Sequence, residues 1–303
     1  MLGNLLKSLL GPRPSPVPVS SEPVPEEDER LRYTQAALED AQAGRFSEAI
    51  AGCKAALSID PRYSAAHFLL AAINLPGEDY FRVLARIHEH LRPRTYVEIG
   101  VAGGDSIRRV GPQTRALGVD PQPEIDFALA PNVKIFAQTS DDFFAQNDVR
   151  AELGGLPVDL AFIDGMHQFE FALRDFMNIE PLCTADSTIL IHDVYPLDEL
   201  TAARERDSAF WSGDIWRLVL LLRKHRPDLA VHTVATNPTG LAIVRNLDPQ
   251  SHYIRDHLEE LVKEYLAVDF QVLDGCQAER LALFPNDWLR IRALLDAPAE
   301  PRR

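Results

Sequence analysis

The chain has 303 residues, of which 46% are hydrophobic and 25% charged, with a formal net charge of −14. This is the balance of a globular protein with room for one large domain and an appendage. The acidic excess argues against a nucleic-acid surface, which needs a basic field, and no apolar run is long enough to span a bilayer. Three widely spaced cysteines, Cys53, Cys183 and Cys276, lack metal-ligand spacing and fit a reducing, cytoplasmic compartment as small buried hydrophobes.

In chain order, residues 1–30 read as a proline-rich linker, with Pro12, Pro14, Pro16 and Pro18 alternating. At its start Leu2, Leu5, Leu6, Leu9 and Leu10 share a helical face, but without the basic flank or cleavage site of a secretory signal. Residues 31–76 read as helical. Small residues at Ala49 and Ala56 let two helices approach closely, and Pro61 stops the second. Tyr33 to Pro61 resembles a tetratricopeptide repeat, and Ser64 to Leu75 the first helix of a second copy. Asp40 and Cys53 depart from that pattern, which usually has aromatic residues there. So few repeats cannot close a solenoid core, so the segment is expected to pack against the rest of the chain or a second copy.

Residues 77–250 carry the α/β pattern. Glu78 to Leu91 reads as a helix stopped by Pro93. Apolar runs follow at 96–101, 117–120, 133–137, 160–163, 188–191, 229–234 and 241–244. The first five alternate with helical segments, which predicts parallel strands joined by crossovers. Only Ala235 to Gly240 separates the last two, so these form an antiparallel pair. The expected fold is a Rossmann-like α/β sheet of five parallel strands plus a C-terminal antiparallel hairpin, with helices on both faces. Residues 251–303 read as C-terminal helices and a tail.

The most informative stretch is Tyr96 to Ser106: a strand, a glycine-rich turn and a helix start. Asp120 closes the next apolar run about twenty residues beyond Gly100, where an acid can accept bonds from ribose hydroxyls. A dinucleotide fingerprint wants glycine at its third position, and Ala102 stands there. The pattern Glu98-x-Gly100-x-x-x-Gly104-x-Ser106 resembles the first motif of class I S-adenosylmethionine-dependent methyltransferases. Five parallel strands followed by an antiparallel pair is also the chain order of that family. The resemblance implies that Glu98, Gly100, Gly104, Ser106 and Asp120 bind the cofactor. Ser140 and Asp141, after the third strand, would then reach the adenine; equally, they cap a helix.

Ligands of open α/β sheets gather at the carboxyl ends of the strands. Asp164 ends the fourth run, and His192 and Asp193 end the fifth. An acid directly after a buried strand must be paired, protonated or bound to a cation. Two carboxylates and an imidazole suit a divalent cation, magnesium foremost, with manganese or zinc admitted by the imidazole. Phe162 to Glu170, Leu173 to Phe176, Ile191 to Asp193, Trp211 to Trp216 and Pro238 to Leu241 resemble a narrower group. It is the one related to cephalosporin-biosynthesis and macrolide-sugar O-methyltransferases, and the similarity covers about Tyr80 to Pro249. By that resemblance Asp164, His192 and Asp193 hold the metal, although His192 stands where an acid is usual. Asp164 also borders the cofactor and the reacting atoms.

The implied reaction is methyl transfer from S-adenosylmethionine to a hydroxyl of a small molecule or glycan. His167, three residues past Asp164, or His192 would take the proton. Trp211, Asp214 and Trp216 are candidates for a lid or for packing. The helical segments at both ends are candidate contacts for a homo-oligomer. The rival readings are a metal-independent methyltransferase and a non-catalytic scaffold that binds a partner through its helices. A nicotinamide oxidoreductase is the weakest rival, because the glycine spacing is wrong for it.

Overall fold

The computed structural model describes residues 28–299. The leucine-rich start and most of the proline-rich linker lie outside them. The first helix among the described residues begins at Glu29, where the Asp28 carboxylate accepts from the Arg30 amide and caps the first turn.

Three helices open the described residues: α1 (Glu29–Gln42), α2 (Phe46–Ile59) and α3 (Ser64–Asn74). Ala37, Ala41, Ala49, Cys53, Ala56 and Ala66 form their shared core. A Cβ on Gly52 would lie 2.9 Å from that of Ala37, so α1 and α2 meet almost backbone to backbone. Helix α4 (Tyr80–Leu91) is capped by Asp79, whose carboxylate accepts from the Arg82 amide. It leads into the sheet.

Among the described residues the sheet has eight strands, in the order β3-β2-β1-β4-β5-β7-β6-β8. β1 (Thr95–Ile99), β2 (Arg115–Val119), β3 (Val133–Phe136), β4 (Val158–Ile163) and β5 (Cys183–His192) are parallel to their neighbours in this group. β7 (Leu241–Arg245) inserts antiparallel between β5 and β6 (Ala230–Val234). Both faces are covered, which is why the strands read as unbroken apolar runs. Val97, Ile99, Ile163, Ile189 and Ile191 face α7 (Phe169–Ile179) and α8 (Trp216–His225). Tyr96, Phe162 and Leu190 face α4 and α12 (Trp288–Asp296).

Three features depart from the sequence reading. The connection from β1 to β2 holds only a 3-10 turn at Ile107–Arg109, and the one from β2 to β3 holds no helix. The first crossovers therefore lie close to the sheet. An eighth strand, β8 (Leu283–Phe284), adds parallel to β6 within the expected C-terminal helices. Two residues are too short for a periodicity to show. Between β3 and β4 lie α5 (Ser140–Gln146) and α6 (Val149–Glu152), and between β7 and β8 lie α9 (Tyr253–Asp256), α10 (Leu258–Leu266) and α11 (Gln277–Arg280). Among the described residues, no helix is long and apolar enough to cross a membrane.

Candidate active site

The strand order reverses between β1 and β4, and a doubly wound sheet opens a crevice at that point. A cavity of about 920 Å³ lies there. Gly100, Asp120, Asp164 and Asp193 all line it.

Backbone geometry builds one end. Gly100 has φ +86, and its amide donates to the Val119 carbonyl at 2.8 Å. A Cβ here would sit 1.9 Å from the Asp164 carbonyl oxygen, so only glycine fits between β2 and β4. Asp120 holds the loop in place. Its Oδ2 accepts from the amides of Val101 (3.0 Å) and Ala102 (2.8 Å), and its Oδ1 from that of Gln122 (2.7 Å). Gly103 has open space above it.

The expected cofactor residues do not all reach this surface. Glu98 is fully buried behind it, accepting from the Tyr96 hydroxyl at 2.7 Å and the Ser106 hydroxyl at 2.5 Å. Burial pushes its carboxyl up to about 8, against the pull of the Ser106 and Tyr96 hydrogen bonds. Ser106 lines the cavity, but its hydroxyl is already given to Glu98. Gly104 packs against Phe127 instead of lining the space. Ser140 and Asp141 open α5 on the cavity wall, where Thr139 is the cap, accepting from the Asp142 amide. Asp141 is gripped by Arg174 through two bonds, at 2.9 and 2.7 Å.

The opposite end is a cluster of side chains. Asp164 follows β4, anchored by its amide to the Ile99 carbonyl at 2.8 Å. His167 and Asp193 take left-handed backbone conformations, φ +54 and +60, which turn both back over the sheet rim. His192 Nδ1 hydrogen-bonds Asp164 Oδ1 at 3.1 Å and lies 3.2 Å from Asp193 Oδ2. The Thr239 hydroxyl donates to Asp193 Oδ1 at 2.5 Å. His167 Nδ1 lies 3.0 Å from Asp193 Oδ2, yet the two are not aligned as a hydrogen bond, and neither atom has a hydrogen-bond partner. Burial opposes charge on both imidazoles, but the Asp193 and Asp164 carboxylates outweigh it. They raise His167 and push His192 up to about 10. The imidazoles in turn hold Asp193 well below the usual carboxylate range despite its burial.

Among the described residues, one group of side chains suits a cation. Asp164, His167 and Asp193 each offer a ligand atom, all within 4.8 Å of one another. The structure thus groups His167 with the two acids, where the sequence pointed to His192. His192 ends β5 with only 6% of its surface exposed and stacks on Tyr80 at 3.8 Å between ring centroids. His167 reaches the acids from the turn after β4. The donor set and the two unpartnered atoms, His167 Nδ1 and Asp193 Oδ2, fit a divalent ion.

Apart from Trp211, the remaining wall comes from residues with no motif to announce them. Tyr80 and Phe81 open α4, and Phe68 comes from α3. The connection from β5 to α8 contributes Phe210 and Trp211, the latter stacked on His167 at 5.1 Å. Gly213, φ +67, passes so close to the His167 carbonyl that a Cβ would lie 1.8 Å from its oxygen. Asp214 then accepts from the Phe169 amide at 2.7 Å and pins the start of α7. The helical layer holds this connection from outside. His67, fully buried, bonds Asp198 at 3.1 Å, and Phe68 meets Phe210 edge-on at 4.9 Å. Trp216 is buried core, not lid.

Residues 97–194 match the family model described as a methyltransferase domain. The match falls within the α/β sheet, from β1 to just past β5. No curated protein matches the chain. Among solved structures, cofactor-bound Rv0187 from MTB is 20% identical, covering 62% of this chain and 90% of its own, with a TM-score of 0.44. The O-methyltransferase TomG from Streptomyces achromogenes, in complex with SAM, is 17% identical over 55% of this chain and 79% of its own (TM-score 0.44). An O-methyltransferase from Bacillus cereus, in complex with SAH, is 14% identical over 80% of this chain and 99% of its own (TM-score 0.41).

Proposed function

We propose that the protein transfers a methyl group from S-adenosylmethionine to a hydroxyl oxygen of a small molecule or glycan. One observation carries this reading: a single cavity has a glycine loop and Asp120 at one end and an acid–imidazole cluster at the other. The sulfonium is already electrophilic, so the protein's task is to align the acceptor and accept its proton. Asp120 keeps lone pairs for ribose hydroxyls, and Gly103 leaves room for the methionine end. Asp164, His167 and Asp193 would hold a divalent ion, which when bound lowers the pKa of the acceptor hydroxyl. With an ion on the two carboxylates that now hold its charge, His192 would be released as a neutral imidazole to take the proton.

A metal-independent version is favoured by one specific contact. His192 already lies against both carboxylates and can balance their charge as an imidazolium. In that version His167, oriented by Asp193, is the base. Tyr33 to Pro61 is read as a single tetratricopeptide-like unit that braces the acceptor wall.

Titration calorimetry tests the core of the proposal. S-adenosylmethionine should bind the wild type, and Asp120→Ala should weaken binding by about 10- to 100-fold. No binding at millimolar ligand would sink it. Manganese titration followed by EDTA separates the two versions: turnover indifferent to EDTA removes the metal.

A further inference from the structure

Asp175 stands apart from everything used so far. It lies on α7, only 2% exposed, and lines the cavity. Its Oδ1 has no hydrogen-bond partner, and Ser140 lies close by on the same wall. A Cβ on Gly165 would lie 4.0 Å from Asp175 Oδ2, so the carboxyl sits beneath a turn with no side chain to cover it. A buried carboxyl with an unpartnered oxygen inside a ligand cavity is a group waiting for a donor.

Position says which donor. With the sulfur facing Asp164, His167 and Asp193, and the ribose at Asp120, the third part of the ligand must lie towards β3 and α7. Ser140, Phe171 and Asp175 line that end. The other acid there, Asp141, has both oxygens taken by Arg174. An adenine presents an exocyclic amine that donates and a neighbouring ring nitrogen that accepts, beside a flat face suited to Phe171.

We infer that Asp175, and not Asp141, reads the adenine edge of the cofactor, accepting from its exocyclic amine through Oδ1. This rests on the S-adenosylmethionine reading above and identifies the residue that makes it specific for adenine. A 6-oxo purine in the same position would turn a carbonyl oxygen towards the carboxyl.

The test uses the full chain and two probes, S-adenosylhomocysteine and its 6-oxo analogue S-inosylhomocysteine, titrated by calorimetry. The wild type should prefer the adenine form by about 10- to 100-fold. In Asp175→Asn and Asp175→Leu that preference should fall at least about 10-fold. The loss should come mainly from weaker S-adenosylhomocysteine binding. Equal affinity of the wild type for both probes overturns the inference even if neither variant folds. An undiminished preference in a folded variant overturns it too, leaving Asp175 a packing residue. If the wild type binds neither probe, the S-adenosylmethionine reading falls and takes this one with it.

Discussion

At the glycine-loop end of the cavity the wall is mostly main chain. Gly100 passes between two strands where no Cβ fits, and Asp120 spends hydrogen bonds on the loop's own amides. At the acceptor end the wall is side chain: Phe68, Tyr80, Phe210 and Trp211 over a cluster of two acids and two imidazoles. The first end is set by strand register and tolerates little change. The aromatic wall of the second is assembled from α3, α4 and the connection before α8, none of which belongs to the parallel strands. A scaffold built this way can keep one donor and change its acceptor by altering outer elements.

Substitutions at the two ends should therefore fail differently. The largest effect is expected for Asp193→Ala, which removes the carboxylate shared by His167, His192 and Thr239. Methyl transfer to a screened hydroxyl acceptor, followed as S-adenosylhomocysteine release, should fall by about 10³-fold or more, because charge and proton handling are lost together. Binding of S-adenosylhomocysteine should barely move, and a loss there of similar size would erase the division between the ends.

Next comes Gly100→Ala, where a clash with backbone adds to a left-handed φ. Denaturant unfolding should show a loss of roughly 3 kcal/mol or more. Gly155, φ +80 with open space around it, is the control, and its alanine variant should lose only about 1 kcal/mol. Similar losses at both positions would mean that φ, and not the close approach, sets the requirement.

Phe210→Ala should act on the acceptor alone. The ring is 2% exposed, wedged between α3 and the cavity. Steady-state kinetics should show the acceptor KM rising about 10-fold with the affinity for S-adenosylhomocysteine unchanged. Phe68→Ala should follow more weakly. If the donor's affinity drops instead, the helical layer supports the whole cavity and not one wall.

A pH-dependent effect is expected at Glu98. Its folded carboxyl holds a proton up to about 8, against an ordinary value of 4.5. Between those values the folded protein keeps a proton that the unfolded chain has released. This contribution is complete below pH 4.5 and fades as pH rises through the folded value. Glu98→Gln has no such proton, so its stability relative to wild type should improve as pH rises across that window. Parallel stability–pH curves would show that Glu98 is ionised in the fold.

Much of this was open to a reader of the chain. Buried parallel strands must be apolar on both faces, so their runs stand out, and an acid directly after one of them, as at Asp120, Asp164 and Asp193, is conspicuous because burial makes it expensive. The missing crossover helices and β8 were not legible, since a short turn and a two-residue strand carry no period. Tyr80, Phe68 and Phe210 gave no signal either. Each sits in an ordinary amphipathic or loop context and becomes a wall residue only through what it meets.

The sequence by itself determined the sheet, the glycine turn and the acids at the strand ends, because local periodicity and the penalty for burying charge are written residue by residue. Tertiary structure alone decided that His167 joins the two acids while His192 stacks under Tyr80, and that Asp141 is spent on Arg174 while Asp175 is left with an open oxygen. Those outcomes turn on distances between residues far apart in the chain, which packing sets and no local pattern encodes.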